Sequence, residues 1–403
     1  MSEHTSHYAP VKSVPFFTRG VLVVLAIALI GWGFGLFRMF FGLEAATNLN
    51  DQFPWGLWIG VDVATGVALA AGGFTSAALA HIFHRDQYHP LTRAALLTAA
   101  LGYTFVAIGL LFDLGRYYNV WHPMIYWQGN SVLFEVGMCV MAYLTVLYLE
   151  FLPIVAERFK DGISMPRPLG KLNRPLNALL RFGNRVSGKI MWALIIAGVV
   201  LSCMHQSSLG ALMVIAPTKM HPLWYTPILP LLFLASAIAV GLAMVVFESL
   251  LASRSFKRKP EMSALSPLSR ILPLALGVYL ALKVGDLAIR DAWPHLLVGN
   301  FETFMYLIEV GVCGFLPFVL LLLPAVQQRP GLLMIPAALT VAGVAINRIN
   351  VFLVAYQPPY ATERYFPALP EFAVTAGLIA TIVLIYRFAA LNLPIMEAEE
   401  ERA

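Results

Sequence analysis

Only three cysteines occur in the 403 residues, Cys139, Cys203 and Cys313, and no two share a ligand-type spacing. Such isolated thiols exclude an iron-sulfur cluster or a structural zinc held by this chain; all three fall in apolar runs and read as small packing residues. Charged residues make up 12% of the chain against 59% apolar, with a mean hydropathy of +0.75, which excludes a soluble globular domain. There is no Gly-rich phosphate loop, no zinc-type cluster and no stretch polar enough for a separate catalytic domain. Of nine histidines only His205 lies deep in an apolar run, since His81 and His84 fall near the end of theirs. A membrane b-type haem usually needs two facing histidines, so no haem is expected. The first apolar run follows a stretch of mixed polarity and precedes no small-residue cleavage site, so it reads as a retained anchor.

What is present is membrane-spanning sequence. Runs of about 20 apolar residues predict an all-α, polytopic membrane protein with helices near 21–43, 55–83, 94–113, 131–155, 190–215, 223–252, 271–290, 302–326, 331–355 and 372–390. An even number of crossings puts both termini on one side. That side carries Lys12, Arg19, Arg85, Arg93, the basic stretch 158–189, residues 254–259, Arg270, Arg329, Arg387 and Arg402. The opposite loops carry Arg116, Lys219, Arg290 and Arg364. The positive-inside rule then makes both termini cytoplasmic. The sequence pI of about 9.1 follows from this asymmetry and from anionic lipid, so nucleic acid is not an expected partner.

One pentapeptide pattern occurs twice, Glu135-Val136-Gly137-Met138-Cys139 and Glu309-Val310-Gly311-Val312-Cys313, each inside a membrane run. At nearly the same offset Asp113, Leu114 and Arg116 align with Asp286, Leu287 and Arg290, and Pro90 to Arg93 with Pro267 to Arg270. Each repeat holds four crossings, an even number, so the predicted arrangement is two parallel-repeat four-helix bundles, helices two to five and six to nine, flanked by helices one and ten. The corresponding divisions are 1–54 for the tail and first helix, 55–215 for the first bundle, 216–355 for the second and 356–403 for the last loop, helix and tail. The basic stretch 158–189 lengthens the connection between helices four and five, and Pro166, Pro168 and Pro175 argue against one continuous helix there.

At about 1.5 Å per residue, Asp62, Asp113, Arg116, Glu135 and His205 all fall in the outer half of the first bundle. A charge there costs about 2.5–3.5 kcal/mol on insertion scales, so these groups are expected to converge on the bundle interior. With His205 and Arg116 as the evident bases, at least one carboxylate should carry a proton, and Glu135 is singled out. In the second half Lys283, Asp286, Glu309 and Arg348 balance; Lys283 and Asp286 share a helical face and Arg348 is placed to neutralise Glu309, which leaves a self-satisfied structural network and a functional role equally open there. A polar pocket with apolar walls suits a lipid-soluble redox carrier such as a quinone, which moves two protons with two electrons. The competing readings are a secondary transporter, which matched breaks in corresponding helices would favour, and a purely structural anchor.

Four segments, Phe53 to Gly56, Asp113 to Tyr117, Asn130 to Glu135 and Met204 to Gly210, together with His221 to Trp224, resemble the NrfD/PsrC family of integral membrane subunits. Within it the chain most resembles the membrane subunits of hydrogenase-2-type nickel-iron hydrogenases. The resemblance implies a haem-free, quinone-reactive anchor with menaquinone as its carrier. It implies as partners a periplasmic iron-sulfur subunit and, through that, a hydrogenase or molybdopterin-type catalytic subunit. It further implies a proton path over Asp62, Arg93, Tyr103, Glu135 and His205, with Asp113, Arg116, Glu135 and His205 at the quinone pocket; Arg93 and Tyr103 enter on the resemblance alone.

Overall fold

The structure is a computed structural model that describes residues 8–160, 162–163 and 167–398; Pro166 and Arg402 lie outside them. Among the described residues ten helices are long and apolar enough to cross a membrane. They are α1 (Arg19–Phe41), α2 (Trp58–Ile82), α3 (His89–Asp113), α4 (Val132–Arg158), α5 (Asn173–Val214), α6 (Leu229–Ser255), α7 (Met262–Ile289), α8 (Phe301–Leu321), α9 (Pro330–Val354) and α10 (Leu369–Asn392). Helix starts are marked by side-chain caps where orphan N–H groups need acceptors: Thr18 accepts from Val21 N, Ser131 from Phe134 N and Asn300 from Thr303 N.

Several ends differ from the sequence-based placement, and proline explains most of them. α5 begins at Asn173 instead of near 190, because Pro175 sits in its first turn, where no intrahelical N–H bond is lost. α3 likewise starts at His89 with Pro90 in its first turn, and α7 runs through Pro267 and Pro273 from Met262; neighbouring helices and local turns re-satisfy backbone groups freed by a membrane proline. α6 starts only at Leu229, since the stretch from His221 is irregular and is tied to the end of α9 by His221 N donating to Ala355 O at 2.8 Å.

α2 and α6 cross at the centre, backbone close to backbone: a Cβ on Gly241 would come within 2.9 Å of Ala71 O. α3, α4 and α5 pack to one side of this pair, with α4 and α5 a peripheral hairpin, and α7, α8 and α9 pack to the other. α1 and α10 lie together against α2 and α3, and a Cβ on Gly377 would stand 2.6 Å from Gly31 Cα, the small-residue contact that membrane helices use for close approach. α2 is irregular, with wide π-type turns at Trp58–Thr65 and Ala78–Ile82 and a break at Ala70 and Ala71, whereas α6, its counterpart by order, is continuous. The matched breaks that would favour a transporter are absent from this described pair. Strands β1 (Tyr8–Ala9) and β2 (Met396–Glu397) pair antiparallel, Tyr8 with Glu397, so the two ends of the described chain meet on one side.

Candidate functional site

The expected outer-half groups form two sets, not one. In the first, α3, α4 and α5 bring Tyr103, Tyr143 and His205 into a fully buried cluster. His205 Nδ1 lies 3.2 Å from Tyr103 Oη, and the Tyr103 and Tyr143 rings meet edge to face at 4.5 Å. His205 Nε2 is buried without a partner. One turn further along α5, Ser208 donates to Glu135 Oε1 at 2.5 Å. Gln206, between them in sequence, donates to Val67 O at 2.8 Å and straps α5 onto α2. Glu135 itself is exposed in the first turn of α4, so it lies at the rim of this cluster, not inside a bundle.

The second set faces the α1–α10 pair. Asp62 is 8% exposed and accepts from Thr375 Oγ1 of α10 at 2.7 Å, with its Cβ against Gly109 of α3. Asp113, at the end of α3, is half-buried with Oδ1 unpartnered. Arg38 of α1, 1% exposed, donates from Nε to Phe112 O and from Nη2 to Leu114 O, each at 2.6 Å. The expected convergence of Asp62 and Asp113 with Glu135 and His205 is therefore corrected: α1 and α10 pack on α2 and α3 and turn both aspartates their way. Arg116 is exposed in the loop beyond α3. Arg93 sits at the opposite end of α3, the end where the termini meet. There it pairs with Glu157 Oε2 at 2.8 Å, donates to Pro394 O at 2.8 Å and stacks over Tyr8 at 3.9 Å.

In the other half the Glu309 carboxylate is fully paired, but its pairing differs from the expected one, and Arg348 Nε and Asn350 Oδ1 beside it are left without partners. Glu309, 3% exposed, accepts from Lys283, Trp224 Nε1 (2.8 Å), Asn347 Nδ2 (2.7 Å) and Asn350 Nδ2 (2.7 Å). Lys283, not Arg348, neutralises it, because the π-type turns at Ile308–Phe315 aim the carboxylate toward α7 and α9. Arg348 is fully buried on another face, donating to Asn347 Oδ1, Phe233 O and Ser236 Oγ and lying 3.6 Å over the Phe233 ring. Asp286 takes Arg290 at 2.8 Å and Thr226 at 2.7 Å, not Lys283.

The residues fit a quinone better than a haem. Glu135 presents a carboxylate at an open face, backed by the buried Ser208 hydroxyl and one turn from a histidine with an unpartnered ring nitrogen, groups suited to the carbonyls of a quinone. A haem lacks its pair: among the described residues His205 is the one buried histidine. No group of histidine, cysteine and carboxylate side chains among the described residues has the arrangement of a metal site. A separate cavity of about 680 Å³ lies between the start of α2, α8, the end of α9 and the loop before α10, bordered by Phe53, Leu57, Met305, Leu353 and Tyr365. None of the sequence-proposed site residues lines it. Sequence reasoning passed over Arg38, Thr375, Ser202 and Glu150; for Arg38 and Glu150, an ionisable group inside an apolar run was the available signal.

Residues 45–359 match the family described as polysulphide reductase, NrfD. A protein of Nitratidesulfovibrio vulgaris is 37% identical over 94% of this chain and 95% of its own length. The probable Ni/Fe-hydrogenase 2 b-type cytochrome subunit of Escherichia coli is 34% identical over 95% of this chain and 93% of its own. The menaquinone reductase integral membrane subunit of N. vulgaris is 27% identical over 92% and 90%.

Proposed function

The chain belongs to the NrfD family of multi-pass membrane subunits, and from that premise we infer that it is the quinone-reactive subunit of a respiratory oxidoreductase complex. The complex would join this chain to a periplasmic iron-sulfur subunit and a hydrogenase or molybdopterin-type catalytic subunit. The charge asymmetry supports an orientation with the paired termini in the cytoplasm and Glu135, Asp113 and Arg116 toward the periplasm. The repeat supports a division near residue 215 into two four-helix units, of which the first is the working one.

The carrying observation is the contrast between the two repeated glutamates. Glu309 is sealed by a lysine and three neutral donors, whereas Glu135 is open and held by one serine next to the His205–Tyr103 pair. A bound menaquinone supplies a two-electron, two-proton acceptor. Glu135 and His205 exchange its protons, Ser208 orients the Glu135 carboxyl, and Tyr103 passes protons from the cytoplasmic side to His205. Asp113 and Arg116 border the approach from the periplasmic side. Asp62 extends the polar surface along α2, and Arg93 closes the cytoplasmic end. Electrons that arrive from outside and protons that arrive from inside make the reaction electrogenic.

General acid–base groups contribute about 10²–10⁴-fold. Glu135→Gln should therefore lower quinone-linked turnover by at least about 100-fold while the complex keeps its dye-linked activity. Wild-type quinone turnover and proton movement in Glu135→Gln would overturn the assignment.

A further inference from the structure

A proton that reaches Tyr103 from the cytoplasm must cross the inner half of the membrane, and the groups assigned so far leave that half empty between Tyr103 and the Arg93–Glu157 pair. The α4–α5 interface fills it. Tyr143, buried beside Tyr103, is the next hydroxyl inward. Ser202 of α5 is fully buried within interaction range of both tyrosine hydroxyls and has no fixed hydrogen-bond partner. One turn inward along α5 comes Gly198, whose missing side chain leaves a gap: a Cβ there would stand 3.1 Å from Glu150 Oε1 and 3.6 Å from Tyr143. Glu150 thus lies over the bare face of Gly198, next to Tyr143, and eight residues before Arg158 at the end of α4. At about 1.5 Å per residue that is roughly 12 Å inside the membrane. No ion pair to Glu150 is found among the described residues. A carboxyl kept at that depth without a cation is costly and needs a use.

We propose that Glu150 is the cytoplasmic proton-loading group of this chain, passing protons through Tyr143, Ser202 and Tyr103 to His205 and Glu135. The inference rests on the quinone-linked reading above. For each quinone reduced, two electrons enter from the partner and two O–H bonds form on the carrier. Each proton given up by His205 or Glu135 is replaced through the hydroxyls, every one of which loses one proton and gains one. The net donor is the Glu150 carboxyl, which is reprotonated from cytoplasmic water past the Arg93–Glu157 pair. Oxidation of a quinol runs the same transfers in reverse.

The test uses the complex purified with its partner subunits, reconstituted in liposomes and assayed with 2,3-dimethyl-1,4-naphthoquinone. Glu150→Gln should lose tenfold or more of the quinone-linked rate together with proton uptake from the side of the termini, with dye-linked activity and thermal unfolding unchanged. Glu150→Asp should restore part of both. Wild-type rate and proton count in Glu150→Gln would overturn the proposal, as would equal losses in the Gln and Asp variants accompanied by lower thermal stability, which mark a packing role. If Glu135→Gln also turns over normally, the quinone-linked reading itself fails; if it is inactive while Glu150→Gln is normal, only Glu150 is wrong.

Discussion

Removing Lys283 tests the sealed network directly. Lys283 is 6% exposed and Glu309 3%, so neither charge has bulk water to fall back on. Lys283→Met keeps the volume and leaves the Glu309 carboxylate with three neutral donors, Trp224, Asn347 and Asn350. Breaking a buried pair by deleting one partner costs about 3–5 kcal/mol, and the remaining donors place the loss at the lower end. On the per-residue unfolding entropy of globular proteins that is a fall of roughly 4 °C in Tm. Lys283→Met with Glu309→Gln removes both charges and retains a hydrogen-bonding group, so the double variant should return to within about 1 kcal/mol of wild type. Thermal unfolding of the detergent-solubilised protein reads all three. A single variant as stable as wild type, or a double variant no better than the single, would refute the pairing. The double variant should also keep quinone-linked turnover, because this half lies off the proposed proton path.

Two further outcomes follow from packing and titration. Gly377→Val puts a Cβ 2.6 Å from Gly31 Cα, where only backbone could give way, so α1 should separate from α10 and Tm should fall. Gly137→Ala, with open space around it, should be silent in the same melt. Glu261, just before α7, has its carboxyl pushed up to about 7 by burial, with the Glu397 charge raising it further and Arg258 opposing. The folded chain then holds this proton more tightly than the unfolded chain, so the stability linked to it is complete at low pH and is lost as pH rises through 7. Melts at about pH 5 and pH 8 should show a smaller loss in Glu261→Gln than in wild type, and equal losses would contradict the burial.

The crossings and the doubled glutamate were legible because both depend on local sequence, a run of apolar residues or an ionisable group inside one. Helix ends were less so. Pro175 was read as a breaker but opens α5, and Pro267 and Pro273 lie within α7, because a proline's effect depends on whether neighbours can satisfy the carbonyl it frees. Partner choice was least legible. Face arithmetic put Lys283 and Asp286 together on one helix, yet Lys283 turns to Glu309 of α8 and Asp286 to Arg290 and Thr226. Asp62 was read into the first bundle although its acceptor is satisfied by Thr375, more than three hundred residues away. Which helices touch is decided by small-residue contacts such as Gly31 against Gly377, and a single sequence does not announce the partner of a glycine.

The two glutamates differ in how tightly the chain holds them, and the proposed division of labour between the halves rests on that difference. The Glu309 carboxylate accepts four donors, one of them cationic, so it is tied to α7, α9 and the stretch before α6 at once. Glu135 accepts one hydroxyl, and a neutral hydrogen bond is worth about 0.5–1.5 kcal/mol, so its carboxyl is held far more lightly than that of Glu309. Glu150 has still less to hold it to one state. Along α4 the carboxyls are thus bound loosely at both depths, and the hydroxyls and imidazole between them are buried among one another with unpartnered atoms at His205 Nε2 and Ser202 Oγ. Open buried valences occur in both halves, at His205 Nε2 and Ser202 Oγ in the first and at Arg348 Nε and Asn350 Oδ1 in the second, so what sets the first half apart is an exposed, singly held carboxyl at the end of a line of buried hydroxyls and an imidazole.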